Sequence, residues 1–413
     1  MEERSLIVKT VISVVLLVLA ATAFADWTSI GPEGGPMYCG TVTATTPPTV
    51  YVAPTSYSTP LLKMTDGGAA WQPAGAAMAN YPYVLVSHPT DTNRMYGVIS
   101  SIFYRTTNAG ASWSQSSLGS NTYGNDIALN PLNPQVIYVP CYAYDGAAWR
   151  MTSAKSTDGG ATWANTQLDT TSSTTLYSAA VDPVDTNVVY MGAYVDTSTV
   201  VYKSTDCGAT WEQHLLPHNL YYIYSLYVST ADHNTVFAGT LYGVFRSTDA
   251  GETWNQQSTY NYNYRIVSVP DQPEVMYSAA YSYVCRSTDA GVTWTMCGAG
   301  VQGTTIRMVL TVPGESSTVY CGSTAGMFKS TDYGATWNEI NHGILIGKIP
   351  VVAFDPGTPG TAYAEFIDNA IFKTTDDGVS WERQPVVLTC GNVVNILIEP
   401  ANPLRRWMFE GSG

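Results

Sequence analysis

In 413 residues this chain carries 32 Asp and Glu against 18 Lys and Arg, a formal net charge of −14. Such a surface repels phosphate backbones, so nucleic acid is excluded as a partner. Charged residues make up only 12% of the sequence, about half of the roughly 25% of an average soluble protein; Ser, Thr, Asn and 29 tyrosines must supply the polar surface instead, as in secreted all-β proteins.

Residues 1–25 read as an export signal. Arg4 and Lys9 form a positive start, 11–21 is a short apolar core, and Ala23-Phe24-Ala25 is an A-x-A cleavage site before Asp26. A membrane anchor needs about 20 apolar residues, more than this run offers, and no other stretch qualifies. The expectation is a secreted or periplasmic protein cut after Ala25, with no membrane span in the mature chain of 26–413.

From residue 26 onward one nine-residue word organises the sequence. It stands as Lys155-Ser156-Thr157-Asp158-Gly159-Gly160-Ala161-Thr162-Trp163 and returns at 203–211, 246–254, 286–294 and 329–337, with looser copies at 63–71, 105–113 and 373–381. The closing tryptophans, at 71, 113, 163, 211, 254, 294, 337 and 381, recur at a spacing of about 44 residues, the signature of a repeat architecture. Apolar, β-prone residues precede each word and a strand begins at each Trp, so the word reads as a hairpin connection. Its Asp accepts turn amides, its Gly takes a positive φ, its Ser and Thr cap backbone groups, and its Trp packs on neighbouring strands. The acceptors are Asp66, Asn108, Asp158, Asp206, Asp249, Asp289, Asp332 and Asp376. Asn108 keeps the acceptor without the charge, which fits a structural turn and not a metal or acid–base role.

Four short strands per repeat complete the pattern. In the repeat ending at Trp254 they are 225–228, 235–239, 243–247 and a strand opened by Trp254. Pro ends the first strand in Ala180-Val181-Asp182-Pro183 and Ala353-Phe354-Asp355-Pro356. With no helical periodicity between them, these strands predict one all-β propeller over 26–413. Eight complete units leave over a strand at Trp27 and two at 394–398 and 406–409, which predicts a partial ninth blade closed by the two termini. Seven cysteines leave at least one unpaired, and none has zinc-site spacing. Cys285 and Cys297 flank one hairpin and could bridge it; the alternative is small buried apolar residues.

The repeated Ser/Thr-x-Asp-x-Gly-x-Thr-Trp resembles the Asp-box (bacterial neuraminidase repeat) propellers over nearly the whole mature chain. That superfamily includes sialidases, xyloglucan-degrading glycoside hydrolases, the sortilin luminal domain and photosystem II assembly factors. The resemblance implies a propeller whose box turns lie away from the active face. For sialidases it implies Arg-Ile-Pro and three substrate arginines, where this chain has Lys348-Ile349-Pro350 and, opening inner strands, Arg265 and Arg307. For xyloglucan hydrolases it implies an early aspartate in a Thr-Asp-x-Gly-Gly setting; the nearest text, Thr65-Asp66-Gly67-Gly68, is the first box.

In a propeller the loops before first strands and between second and third strands share the channel-mouth face, where function is expected. The residues placed there as ligand-binding candidates are Tyr144, Asp145, Trp149, Tyr194, Tyr222, Tyr224, Tyr262, Tyr264, Arg265, Arg307 and Asp368, with His214 and His342 on the same side. Tyrosine offers flat apolar area with a hydroxyl at its edge, suited to sugar rings and to protein partners. Glycoside hydrolysis would need two carboxylates about 5–10 Å apart, and Asp126, Asp145, Asp196, Glu365 and Asp368 are available for it. No nucleophile-elbow, HExxH, P-loop or EF-hand pattern appears, so no metal or cofactor is expected. The sequence reads as an exported binding or assembly scaffold for a glycan or a protein, expected as a monomer. The alternatives are a glycoside hydrolase and a passive module of an envelope or secreted assembly.

Overall fold

A computed structural model describes residues 33–55, 60–67, 69–75, 78–168, 174–217, 222–301, 305–344, 352–355, 357–366, 370–384, 393–398 and 406–410. The export signal, the strand at Trp27 and Asp368 lie outside them. Within each repeated word the turn folds onto its own aspartate. Asp158 Oδ1 accepts the amides of Ala161 and Thr162, both at 2.9 Å, and Oδ2 accepts the Thr162 hydroxyl at 2.6 Å. Ser156 Oγ donates to Asp158 Oδ1 and accepts the Gly160 amide, both at 2.8 Å. The clasp between the acid and the residue four positions on recurs at Asp206, Asp249, Asp289, Asp332 and Asp376. Asn108 keeps it by donating its amide to Ser112 Oγ at 2.9 Å, and Asp66 accepts the Ala69 amide at 2.9 Å.

Two left-handed residues follow the acceptor in the seven words from Asn108 to Asp376. The first tolerates a side chain, as at Cys207 (φ 60°), Ala250 (φ 56°) and Tyr333 (φ 60°), and the second is glycine. Packing explains the difference. A Cβ on Gly291 would stand 2.2 Å from the Phe237 ring of the preceding sheet, which is itself fully buried.

The strands between turns form eight four-stranded antiparallel sheets, one with an added short strand (Thr122–Gly124), and a final two-stranded hairpin, Val393–Ile398 with Arg406–Glu410. Within each sheet the strands run in chain order, as in Ile223–Val228, Val236–Thr240, Gly243–Ser247 and Asn255–Gln256. Among the described residues the core is split into seven apolar clusters, each made by two sheets facing one another. Six join sheets consecutive in the chain. The seventh joins Met37, Val50, Val52, Leu62 and Met64 of the first sheet to Met308, Tyr320 and Met327 of the seventh.

The ring therefore closes after seven blades. Eight four-stranded sheets are present as the repeat count predicts, but a closure that enlists both termini is replaced by direct contact of blade 1 with blade 7. Lys329 Nζ of blade 7 donates to Gly67 O in the turn of blade 1 at 2.6 Å. Lys155 does the same to Cys207 O one blade on, at 2.8 Å. The indole of Trp71 donates to Ile340 O, and Gly34 N to Ile344 O. The face an eighth blade would need on blade 7 is thus occupied. The eighth sheet packs its first strand, Val352–Phe354, against the final hairpin, and Phe354 is 78% exposed.

Cys285 and Cys297 are both free thiols. Cys285 pairs with Met296 across the hairpin, so Cys297, one residue further, points to the opposite face of the sheet. Cys285 packs with Phe237 towards blade 5, and Cys297 with Cys321 towards blade 7. The bridge foreseen as one possibility is excluded by this alternation.

Two outcomes follow for stability. Gly291→Ala meets both a positive φ and the Phe237 ring, and should lower unfolding free energy by about 3 kcal/mol or more; Gly314→Ala, with φ 80° but open space around its Cβ, should cost about 1 kcal/mol. Equal losses in urea unfolding would show that packing under the turn is unimportant. The second outcome concerns acid. The carboxyls of Asp206, Asp332 and Asp376 are held down at about 2, first by the hydroxyls of Thr210, Thr336 and Ser380, then by the amides of those residues and the hydroxyls of Ser204, Ser330 and Thr374. Aspartate in an unfolded chain titrates near 3.9, so between those values the unfolded state binds more protons. The urea midpoint should hold from about pH 7 to 5 and fall from about pH 4 to 2; a midpoint at pH 2 equal to the neutral one would contradict the clasps.

Candidate functional site

The first strand of each blade lines the axis, and it carries a recurring irregularity. Pairing with the second strand slips between Met37 and Cys39, Leu176 and Ser178, Ile223 and Ser225, Asn263 and Arg265, and Ile306 and Met308. Each slip is a β-bulge, which takes one residue out of the alternation and re-aims it. The residues so re-aimed are Tyr38, Tyr177, Tyr224, Tyr264 and Arg307, and all five line one cavity of about 350 Å³. Blade 2 contributes Tyr83, just ahead of its strand Val84–Ser87. Blade 3 contributes Asn125 and Asp126 from the link between Thr122–Gly124 and Ala128–Leu129. All seven blades thus meet at the channel mouth.

Two guanidiniums and one carboxylate are set among these rings. Arg307 lies over the rings of both Tyr38 and Tyr264, 5.2 and 5.0 Å from their centroids, and no carboxylate among the described residues is within ion-pair distance of it. Arg265 reaches from blade 6 towards Asp126 of blade 3, with Nη1 3.7 Å from Oδ1. Asp126 is buried and also accepts the amides of Ile127 at 2.9 Å and Ala179 at 3.1 Å. Burial pushes its carboxyl up, and the Arg265 charge and the two amides oppose that. Burial likewise raises the phenols of Tyr38, Tyr224 and Tyr264, so at neutral pH they are hydrogen-bonding hydroxyls and not bases. No group of three or more His, Cys, Asp or Glu poised for a metal occurs among the described residues.

Around the cavity the aromatic rings continue outwards. Tyr222 meets Tyr177 at 4.7 Å, Tyr194 at 5.8 Å and Tyr224 at 5.9 Å. Tyr262, at φ 57°, meets Tyr224, Tyr264 and Tyr281. On blade 3 a long hairpin, Ile137–Tyr144 with Trp149–Ser156, carries a second cluster. Tyr142 stacks on Tyr123 at 5.3 Å and 16°, and Trp149 touches Tyr123, Tyr142 and Tyr144. Asp145 closes the tip by accepting the amides of Ala147 and Ala148 and pairing with Arg150 Nε, all at 2.8 Å.

Of the residues singled out from sequence, Tyr224, Tyr264, Arg265 and Arg307 line the cavity, Tyr194, Tyr222 and Tyr262 ring it, and Tyr144, Asp145 and Trp149 stand on the blade 3 hairpin. His214 departs from the expected face: on a fourth strand, it lies 3.4 Å from Glu252 in the turn of the next blade. His342 pairs with Glu33 at 3.0 Å beside the ring closure. Tyr38, Tyr83 and Tyr177 were missed, although a signal existed. Tyr83, Tyr224, Tyr264 and Arg307 each stand 30 residues before the closing Trp of their repeat, so aligning repeats on that Trp exposes the column.

No protein-family model and no curated protein matches this sequence. Solved structures do. An ancestral GH74 enzyme superposes with a TM-score of 0.61 at 16% identity, over 94% of this chain and 68% of that one. The extracellular domain of BT4673 from B. thetaiotaomicron gives 0.53 at 14% identity, over 92% of this chain and half of that one. At such identities the likeness is one of fold, and the chain is a β-propeller of the kind its repeats imply.

The two acids at the mouth are expected to behave differently. Asp126→Ala strands two buried amides and should cost about 2 kcal/mol in urea unfolding, whereas Asp145→Ala at the exposed tip should leave the urea midpoint nearly unchanged. Comparable losses would mean that Asp126 does not hold blades 3, 4 and 6 together.

Proposed function

We propose that this protein is an exported binding scaffold that holds a glycan in the aromatic mouth of its channel. One observation carries the reading: five bulged first strands, from five different blades, aim four tyrosines and an arginine into the same cavity. Tilted tyrosine faces give sugar rings apolar area, and the hydroxyl edges and guanidiniums give their hydroxyls partners. A protein segment is the other occupant such a face could take. Hydrolysis is less well supported, because two carboxylates must flank the scissile bond. Among the described residues Asp126 is the one acid lining the cavity, and it is already held by two amides and Arg265. No helix among the described residues is long and apolar enough to cross a membrane.

A glycan-array screen of the purified protein tests the reading, with every hit then incubated to look for cleavage. Binding without turnover is expected. Tyr222→Ala, Tyr224→Ala and Tyr262→Ala should each weaken capture about five- to tenfold while far-UV circular dichroism stays unchanged. Capture unaffected by all three would remove this face from the reading, and turnover would favour a hydrolase.

A further inference from the structure

The charges at the mouth narrow the kind of glycan, if the ligand is a glycan as proposed above. The chain as a whole carries −14, yet its cavity holds two guanidiniums against one carboxylate. Arg265 is directed at Asp126. Arg307 has no such partner among the described residues, and its guanidinium lies over the rings of Tyr38 and Tyr264. A guanidinium stacked against rings keeps its N–H donors in its own plane, where they match the two oxygens of a carboxylate.

The second feature is the blade 3 hairpin. Its strands run eight residues each, against five in the corresponding pair of blade 5. Three extra residues raise the tip by about 10 Å. Tyr142 belongs both to the cavity wall and to the stack with Tyr123 and Trp149. A continuous aromatic surface therefore runs from the cavity up to Trp149, which is 40% exposed, and Tyr144. The Asp145–Arg150 pair and the two tip amides keep that platform in one shape.

We infer that the mouth takes an acidic oligosaccharide: the carboxylate of a uronic-acid unit sits on Arg307 in the cup, and the following sugar rings stack along the Tyr142–Trp149 platform. The cup is small, near the lower end of the roughly 300–1,000 Å³ of small-molecule sites, and accommodates the charged unit while the rest of the chain lies on the hairpin. A neutral glycan would leave the Arg307 fork without an anion; a peptide carboxylate is the competing occupant, which the test below separates.

Isothermal titration with tetrasaccharides of galacturonate, glucuronate and mannuronate, each as free acid and as methyl ester, tests this on the full-length protein. At least one free acid should bind, its ester at least about tenfold more weakly, and added salt should weaken the acid alone. Arg307→Gln should erase the acid–ester difference and Arg307→Lys should restore part of it, both with unchanged melting temperature. Trp149→Ala should bring the tetrasaccharide to the affinity of the monosaccharide. Equal binding of acid and ester, or of neutral glycans, overturns the inference and leaves the glycan reading standing. Binding of sulfated sugars only overturns the carboxylate assignment. Binding of peptides only, or of no glycan at all, overturns both readings.

Discussion

The structure depends on one contact repeated around a circle: an aromatic side chain from the second strand of a blade, set under the turn of the next. Tyr138 OH donates to Cys207 O at 3.0 Å and Tyr190 OH to Ala250 O at 3.1 Å. Phe237 lies against Gly291, and Tyr51, through Ala109 O, makes the same approach between blades 1 and 2. The turn must present a bare backbone to be approached so closely. That is why its second left-handed residue is glycine while the first can be Cys, Ala or Tyr. The aspartate clasp serves the same end, since it holds the turn rigid without consuming the carbonyls that the neighbouring tyrosines and lysines use.

Because each blade buries its faces against two others, the core consists of interfaces and no blade owns one. Such a ring is complete when the first and last faces meet, and here they meet between 37–73 and 306–339. The first strands then have no strand partner on the channel side. Side chains bridge them instead: Ser178 Oγ donates to Ile223 O at 3.1 Å, Ser225 Oγ accepts Ile266 N at 3.0 Å and Asp126 accepts Ala179 N at 3.1 Å. Strand edges tied this way can tolerate a bulge at the mouth, and each bulge turns one side chain to the axis. The binding face is a by-product of the same geometry that closes the ring.

The mouth also concentrates charge against the trend of the molecule. Low charge density overall leaves tyrosine as the main surface polar group, and six blades bring such rings to the axis, where neighbouring pairs lie 4.7–6.4 Å apart. Arg307, lying over the Tyr38 and Tyr264 rings, keeps its hydrogen-bonding edge free while the rings take its face. An aromatic cup lined by two guanidiniums and one carboxylate is a different object from the generic tyrosine surface that composition alone suggests.

What the sequence determined by itself was local. The spacing of Trp71 to Trp381, the Asp–Gly turns and the strands between them were all legible, because the turns are fixed by hydrogen bonds spanning two to four residues and the strands by apolar runs that recur with each repeat. The hairpin aromatics Tyr144 and Trp149, and the mouth residues Tyr224, Tyr264 and Arg307, were legible as belonging to one face, since strand order assigns loops to faces. Only the tertiary structure decided which copies are neighbours. Eight repeats of one pattern carry eight nearly equivalent faces, and nothing in the pattern of 329–337 says that its lysine meets Gly67 and not the following repeat. The pairing of Asp126 with Arg265, the placing of Arg307 over both Tyr38 and Tyr264, and the opposed faces of Cys285 and Cys297 are decided the same way. Each joins residues through register and ring closure, which are properties of the packed sheets and not of any window of sequence.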